Sequence, residues 1–220
     1  MARRYGSAGS GPGRMARSWR FKQVGAAAVA VASVMAVTWG LPVPVALVAL
    51  VYAAVVWSVG EGRVNRARAG ESAELEVGRH LGGFGTVVFG WRPPGVRFDV
   101  DVVVLEPCLA AVEVKRAEGR VRRRSDGVVL VGGVPIPGDP LRQAVRGAAC
   151  VRQAADVEEL VGAVLCITGM RQRPRVFEWS GTPVTVCSAR HLRRVLRRGG
   201  PRRSRREGRD LAESFVGSRQ

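Results

Sequence analysis

Three charged residues interrupt apolar, β-branched segments of this chain. Asp101 lies within residues 100–105, and Glu113 and Lys115 lie within residues 109–115. A charge inside such a segment is costly unless it is paired with an opposite charge or bound to a metal ion. Because alternate residues of a β-strand share a face, we expect Glu113 and Lys115 to point the same way. These three residues are therefore the first candidates for chemistry.

The short turn at residues 106–108 predicts that the two strands pair as antiparallel neighbours, so that Asp101 and Glu113 meet beside Lys115. Two carboxylates on adjacent strands, with a backbone carbonyl nearby, form a hard oxygen site that suits Mg²⁺. A bound metal can polarise a phosphodiester and generate hydroxide, and a lysine can position water or offset charge. The spacing therefore fits phosphodiester hydrolysis. An ordinary ion pair between Glu113 and Lys115 at a sheet edge is the alternative.

Short motifs accompany these residues in a fixed order over about residues 68–150. They are Gly70-Glu71 with Glu74, Asp101-Val102-Val103-Val104, Val112-Glu113-Val114-Lys115, Gly119-Arg120-Val121 and Asp139-Pro140-Leu141-Arg142-Gln143. The ordered set resembles the NERD (nuclease-related) domain of the PD-(D/E)xK superfamily. This resemblance implies an α/β fold with a restriction-endonuclease-like mixed sheet flanked by helices.

The resemblance also implies roles for individual residues. Asp101 and Glu113 would be the ligands of Mg²⁺, and Lys115 would be the catalytic lysine. Glu74 would be a helix carboxylate that faces the site, and Gln143 would be an amide on the following helix. For Glu74 the alternative is an acid on an exposed helix face, and for Gln143 it is a surface amide.

The chain departs from the family pattern at two places. Val102 follows Asp101 where the family usually has His, and residues 106–108 replace a turn that usually contains Gly. Neither departure removes a ligand, but the second can change the register between the two strands.

The remaining pattern of this region is typical of an α/β layer. Ser72, Asp139 and Ser188 are expected N-caps, and they predict helices over residues 70–81, 139–160 and 188–198. Short apolar runs bounded by Gly and Pro predict the strands. These are residues 86–91, 100–105, 109–115, 120–124, 128–131, 161–168 and 183–187, with 120–124 and 128–131 as a hairpin.

A long uncharged stretch, residues 23–60, precedes this region. It consists of two apolar runs, residues 24–40 and 43–57, separated by a proline-containing segment. Proline interrupts helices, and about 17–20 helical residues span the hydrocarbon core of a bilayer. The pattern predicts a transmembrane hairpin over residues 23–59. A single kinked span, or a cleaved or interfacial segment, is the alternative.

Basic residues flank the apolar stretch on both sides. Residues 1–22 contain arginines and a lysine but no acid, and Arg63, Arg66 and Arg68 follow the stretch. By the positive-inside rule, both ends are expected in the cytoplasm. The expected location is thus the cell membrane, with two spans and a cytoplasmic soluble domain. The Gly-, Ser- and Arg-rich residues 1–22 predict a disordered basic tail.

The formal net charge of +17 arises almost entirely from arginine. Such a charge attracts nucleic acid or the anionic surface of a membrane. On the last predicted helix, arginines recur at three- and four-residue spacing around Leu192 and Leu196, which predicts a basic outer face. Its candidate nucleic-acid contacts are Arg193, Arg194, Arg197 and Arg198. Anionic lipid is an equally supported partner for the arginines.

The four cysteines are far apart and form no CxxC pair, which predicts buried, reduced thiols. The predicted organisation is a basic tail (1–22), a transmembrane segment (23–59), a NERD-like domain (68–198) and a disordered Arg-rich tail (199–220). We expect a membrane-anchored, Mg²⁺-dependent nuclease acting on DNA or RNA at the cytoplasmic face. The alternatives are a catalytically inactive module that tethers nucleic acid to the membrane, and a scaffold whose charges serve lipid alone.

Overall fold

The computed structural model describes residues 3–5, 10–40, 42–199 and 202–217. The chain divides into two compact units. One unit is Ser10–Glu71, and the other combines Met1–Gly9 with Ser72–Gln220. The first unit is helical, and the second contains all of the described strands.

Two long helices supply the helical unit. They are α1 (Ser10–Thr38) and α2 (Val43–His80), of which α2 continues into the second unit. Within the described residues, Met15–Thr38 and Val43–His80 are long and apolar enough to cross a membrane. The prediction of two separate helices of membrane-spanning length is thus confirmed on length and composition.

The break between the two helices lies at the proline-containing segment, as predicted. Gly40 has a φ of +93°, a left-handed conformation that suits glycine just past the end of a helix. The Pro42 carbonyl accepts a hydrogen bond from Val45 N at 3.0 Å, in the first turn of α2. Proline is tolerated at a helix start because its missing N–H needs no partner there.

A polar layer joins α1 to α2 at one end of the apolar stretch. The buried Gln23 Nε2 donates to the Trp57 carbonyl and to Glu61 Oε1, each at 3.3 Å. Arg20 Nη1 lies 3.4 Å from the same Glu61 oxygen. Gly60 permits this close approach, because a Cβ there would lie 2.9 Å from the Gln23 side chain. The two helices therefore pair as an antiparallel hairpin.

Two predictions about the segments that flank the hairpin are wrong. Arg3–Tyr5 forms a strand, and residues 10–22 form the start of α1 instead of a disordered tail. Residues 1–2 and 6–9 of that tail lie outside the described part of the chain. After the apolar stretch, α2 continues through Ser72, so no helix begins there and the predicted N-cap is absent. Arginine and alanine favour helix, and the glycines at 60, 62 and 70 cost about 1 kcal/mol each without ending α2.

The second unit is built on β-sheet. Its strands are β1 (Arg3–Tyr5), β2 (Thr86–Trp91), β3 (Val100–Val104), β4 (Ala110–Gly119), β5 (Val121–Arg123), β6 (Val129–Val131), β7 (Val134–Pro135), β8 (Gly162–Met170), β9 (Arg175–Trp179) and β10 (Thr182–Cys187). The large sheet has the order β1-β2-β3-β4-β8-β10-β9, and β5-β6-β7 form a small antiparallel sheet. In the large sheet β2, β3 and β4 are antiparallel neighbours, whereas β4, β8 and β10 run parallel.

Helices cover both faces of the large sheet. They are the end of α2, α3 (Pro140–Ala154), α4 (Ala189–Arg198) and α5 (Arg205–Gly217). On β4, Ala111 packs in the core cluster that contains α3 and α5, whereas Val112 and Val114 pack with α2 and α4. Because Glu113 and Lys115 alternate with these valines, they lie on the α3 side of β4. The predicted α/β class with a mixed sheet and flanking helices is confirmed.

Two of the three predicted N-cap positions are confirmed. Asp139 caps α3, since its Oδ1 accepts from Arg142 N at 3.0 Å, and Pro140 occupies the first turn. Ser188 takes the N-cap position of α4 without a capping hydrogen bond from its side chain. Its hydroxyl lies 2.9 Å from His191 Nδ1 instead.

Three elements differ from the predictions, one of which is the two-residue strand β7, which was not predicted. α3 ends at Ala154 and not near Leu160, because Asp156 adopts a left-handed φ of +49° that a helix cannot continue through. β9 has no counterpart among the predicted strands. It is an edge strand whose residues are half-buried or exposed, so it lacks the apolar run of a central strand.

The predicted disorder of residues 199–220 is wrong for residues 205–217, which form α5. Ser204 and Glu207 form a capping box at its start. Ser204 N donates to Glu207 Oε2 at 2.7 Å, and Glu207 N donates to Ser204 Oγ at 3.4 Å. Residues 200–201 and 218–220 of the predicted tail lie outside the described part of the chain.

α5 is held by an apolar contact with the sheet. Phe215 is 1% exposed, and the centroid of its ring lies 4.4 Å from that of Trp91 on β2. Ala212 is fully buried one turn earlier in the same core. The arginine-rich composition of this segment therefore conceals an amphipathic helix with a buried stripe.

Candidate active site

The pairing of β3 with β4 brings Asp101 to Glu113. Val102 pairs with Val112, and the same register continued by one residue places Asp101 opposite Glu113. Val114 N donates to Asp101 Oδ2 at 2.7 Å, so the carboxylate is bound to the partner strand. The predicted antiparallel pairing is confirmed, and the unusual turn between the strands leaves this register intact.

Lys115 lies beside Glu113 on the same strand. Its Nζ is 2.6 Å from Glu113 Oε1, as expected for residues that share a strand face. The side chains are 27% and 11% exposed, respectively, so the pair lies at the rim of the core with limited access to water. The ion pair of the simpler interpretation is thus present. Asp101 across the strands adds a second carboxylate to it.

The electrostatics of Asp101 reflect this crowding. Burial raises the pKa of its carboxyl to about 8, with a further contribution from the neighbouring Glu113 carboxylate. The Val114 N–H and the Lys115 ammonium oppose the rise in the pKa, and Glu74 adds to it. Asp101 consequently holds its proton at neutral pH. An added positive charge would favour the ionised form and release that proton.

Glu74 is close enough to Asp101 to influence its pKa. It lies on α2, is 8% exposed, and its charge contributes to the raised pKa of Asp101. The alternative of an acid on an exposed helix face is therefore wrong for this residue. Its position is consistent with a helix carboxylate that faces the site.

Gln143 lies at the surface of α3. It is exposed on the first turns of α3, and its Nε2 is near Gly138, where a Cβ would approach it to 3.6 Å. Among the described residues, none donates to or accepts from its side-chain amide. The surface position that formed the alternative for Gln143 is the one observed.

Oxygen donors for a divalent cation come from two carboxylates at this site. In the described part of the chain, no group of three or more His, Cys, Asp and Glu side chains is arranged to hold a metal ion. The two carboxylates Asp101 and Glu113 remain, and Mg²⁺ is commonly held by one or two carboxylates while water and substrate phosphates complete its shell. Burial first and the Glu113 carboxylate second raise the pKa of Asp101, and a bound cation would oppose both effects by favouring the ionised form. The residues thus fit a hard cation in donor type and charge.

The four predicted nucleic-acid contacts on α4 have different environments. The Arg193 guanidinium donates to the carbonyls of His80 and Gly82, which satisfies open carbonyls at the end of α2. The Arg197 guanidinium lies 6.0 Å from the centroid of the Phe84 ring. Arg193 therefore has a structural role that the helical spacing did not indicate.

Arg194 and Arg198 line a cleft together with Arg173, which sequence reasoning missed. The cleft has a volume of about 670 Å³, and Thr185 and His191 also line it. Arg173 lies between β8 and β9 in a segment without periodicity or motif, so no sequence signal identifies it. Burial lowers the pKa of His191, and the charges of Arg190 and Arg194 lower it further.

Buried thiols are observed as predicted. Cys108, Cys166 and Cys187 are buried, Cys150 is half-buried, and all four are free. Cys166 and Cys187 are register partners on β8 and β10. A hydrogen bond with Cys187, together with burial, raises the pKa of the Cys166 thiol. Burial alone raises the pKa of Cys108 to about 12, so these thiols are unreactive core groups.

Comparison of the chain with protein-family models, curated proteins and solved structures finds no match. The chemistry of the site is therefore inferred from its own residues and geometry. These are the buried Asp101, the Glu113–Lys115 pair and the neighbouring Glu74.

Proposed function

We propose that this protein is a membrane-anchored, metal-dependent nuclease of the NERD type, which hydrolyses phosphodiester bonds of DNA or RNA at the cytoplasmic face of a membrane. The observation that carries the proposal is the meeting of Asp101, Glu113 and Lys115 on β3 and β4. Within the proposal, the mixed sheet and its flanking helices correspond to a restriction-endonuclease-like fold.

In the proposed site each residue has a distinct role. Asp101 and Glu113 would hold the cation, which supplies Lewis acidity at the phosphoryl oxygen when bound. Lys115, at 2.6 Å from Glu113, would use its ammonium to orient the attacking water or to offset charge on the phosphorane. Glu74 would accept a hydrogen bond from water at the edge of the site.

The membrane anchor of the proposal is the helical hairpin. Its exposed apolar side chains, such as Val31, Val48 and Val51, suit contact with lipid chains. Basic residues before and within the first turns of α1, and in the middle of α2, favour the cytoplasm for both ends. This topology would expose the site to Mg²⁺ and nucleic acid.

A catalytically inactive module that tethers nucleic acid to the membrane is the second candidate. It is favoured because, among the described residues, no group of three or more His, Cys, Asp and Glu side chains is arranged to hold a metal ion. The arginine cleft would serve such a module equally well. Both candidates bind nucleic acid, and only the first cleaves it.

Cleavage assays separate the two candidates. The full chain in neutral detergent is incubated with plasmid DNA or RNA, with Mg²⁺ or with EDTA. We expect Mg²⁺-dependent cleavage that is lost in Glu113→Ala and in Lys115→Ala. Glu118→Ala is the matched control, because Glu118 is an exposed acid on the same strand. Nucleic-acid binding without any Mg²⁺-dependent cleavage would favour the tether.

A further inference from the structure

The cleft beside α4 has basic walls from two separate elements. Arg194 and Arg198 are one turn apart on α4, a rise of about 6 Å. Arg173 reaches the cleft from the connection between β8 and β9. Thr185 adds a hydroxyl on β10, and His191 lies in the first turn of α4. Cationic groups thus converge on a concave space of about 670 Å³.

The positive charge of this cleft is uncompensated. Among the described residues, no carboxylate forms an ion pair with Arg173, Arg194 or Arg198. Elsewhere in the same unit arginines are paired, for example Arg203 with Glu159 at 2.9 Å. Three like charges around one cleft repel each other, and an anion that enters it removes this cost.

Phosphate matches guanidinium groups, because the planar fork of arginine binds two of its oxygens together, and a nucleic-acid strand carries one phosphate per nucleotide. The rise of one helical turn between Arg194 and Arg198 is close to the length of one sugar–phosphate unit. A nucleic-acid strand can therefore present consecutive phosphates to the two residues. A bilayer surface is flat and does not follow a concave cleft.

We propose that the cleft of Arg173, Arg194 and Arg198 binds consecutive phosphates of a nucleic-acid strand and holds its backbone without reading its sequence. That the ligand is nucleic acid rests on the proposed function, whereas binding in the cleft does not depend on cleavage. Arg193 and Arg197 contribute little to this binding, because Arg193 is bonded to the end of α2 and Arg197 lies over Phe84. Contacts of this kind position a substrate and are strongly dependent on salt.

Binding is measured in EDTA, so that cleavage is absent. The full chain in neutral detergent is titrated into fluorescent single-stranded DNA or RNA at several salt concentrations. The triple variant R173A/R194A/R198A removes the cleft, and R97A/R122A/R152A is the control, because its three arginines are also exposed and lie outside the cleft. The variant R173K/R194K/R198K keeps the charge, and thermal melting verifies that each protein is folded.

We expect the cleft variant to bind on the order of tenfold more weakly, with a slope of log K against log salt that is smaller by about 2, at roughly 0.7 for each lost phosphate contact. The control variant is expected to keep the wild-type slope, and the lysine variant most of it. Equal slopes in wild type and the cleft variant would overturn the proposal. So would a cleft variant that loses binding to phosphatidylglycerol vesicles while wild type binds no nucleic acid. If the cleft binds nucleic acid in a salt-dependent way but no cleavage occurs with Mg²⁺, this proposal is supported and only the proposed nuclease activity is contradicted.

Discussion

Replacement of Asp101 by Asn provides a quantitative test of the site. The pKa of Asp101 in the folded protein is about 8, against an ordinary value of 3.8 for an aspartate. Between these two values the folded protein retains a proton that the unfolded chain has lost, so stability falls as pH rises through this window. Each pKa unit corresponds to about 1.36 kcal/mol, so the cost of ionising the buried Asp101 carboxyl lowers the free energy of unfolding by on the order of 5 kcal/mol at pH 8.

Asn imitates the protonated carboxyl. Its amide oxygen can accept from Val114 N as Asp101 Oδ2 does, and it places no second charge beside Glu113. We therefore expect Asp101→Asn to raise the free energy of unfolding at pH 8 by about 2–5 kcal/mol. For a domain of this size, that corresponds to a rise in melting temperature of roughly 5–15 °C.

The assay is thermal melting of the full chain in detergent and EDTA, from pH 5 to pH 9. Wild type is expected to lose stability across this range, whereas Asp101→Asn changes much less. Added Mg²⁺ is expected to stabilise wild type at pH 8 by binding the folded state, and to have little effect on the variant. An Asn variant that melts at or below the wild-type temperature at pH 8 would refute the electrostatic account of this residue.

Two further predictions test the packing of elements outside the site. Phe215→Ala is expected to destabilise the second unit by about 3–5 kcal/mol, because it removes the buried ring that packs against Trp91. Denaturant titration followed by tryptophan fluorescence measures this loss. Phe177→Ala is the control, because Phe177 is only half-buried and its loss should lower the free energy of unfolding less. Equal losses in the two variants would contradict the packing of α5 on the sheet. Gly60→Leu is expected to lower the melting temperature of the chain in detergent by overpacking, at about 1–3 kcal/mol, because a Cβ would already meet Gln23 at 2.9 Å. Gly25→Leu has no neighbour within 4 Å and is the control, so the account fails if both variants melt alike.

The sequence predicted the parts of the fold that depend on local chemistry. Charges inside apolar strands identified Asp101, Glu113 and Lys115, because strand periodicity and a short turn fix the register between two neighbouring strands. The Asp139 cap and Pro140 located the start of α3 for a similar reason. In each case the information lies within a few residues.

Features that depend on tertiary contacts were less predictable. The four arginines on α4 look equivalent by spacing, but the end of α2 binds Arg193, and Arg173 comes from a distant loop to join Arg194. The capping box of Ser204 and Glu207 could have predicted the start of α5 from the sequence, but the many arginines around it favoured a disordered tail. The exposed position of Gln143 follows from how α3 packs on the sheet, which no local motif determines.

Metal-dependent cleavage measured in wild type and Glu113→Ala tests the central claim most directly. The account predicts that wild type cleaves nucleic acid with Mg²⁺, that EDTA stops it, and that Glu113→Ala falls to the EDTA baseline while Glu118→Ala stays active. A Glu113→Ala protein that cleaves with Mg²⁺ as fast as wild type, or a folded wild-type protein that does not cleave at all, would contradict it.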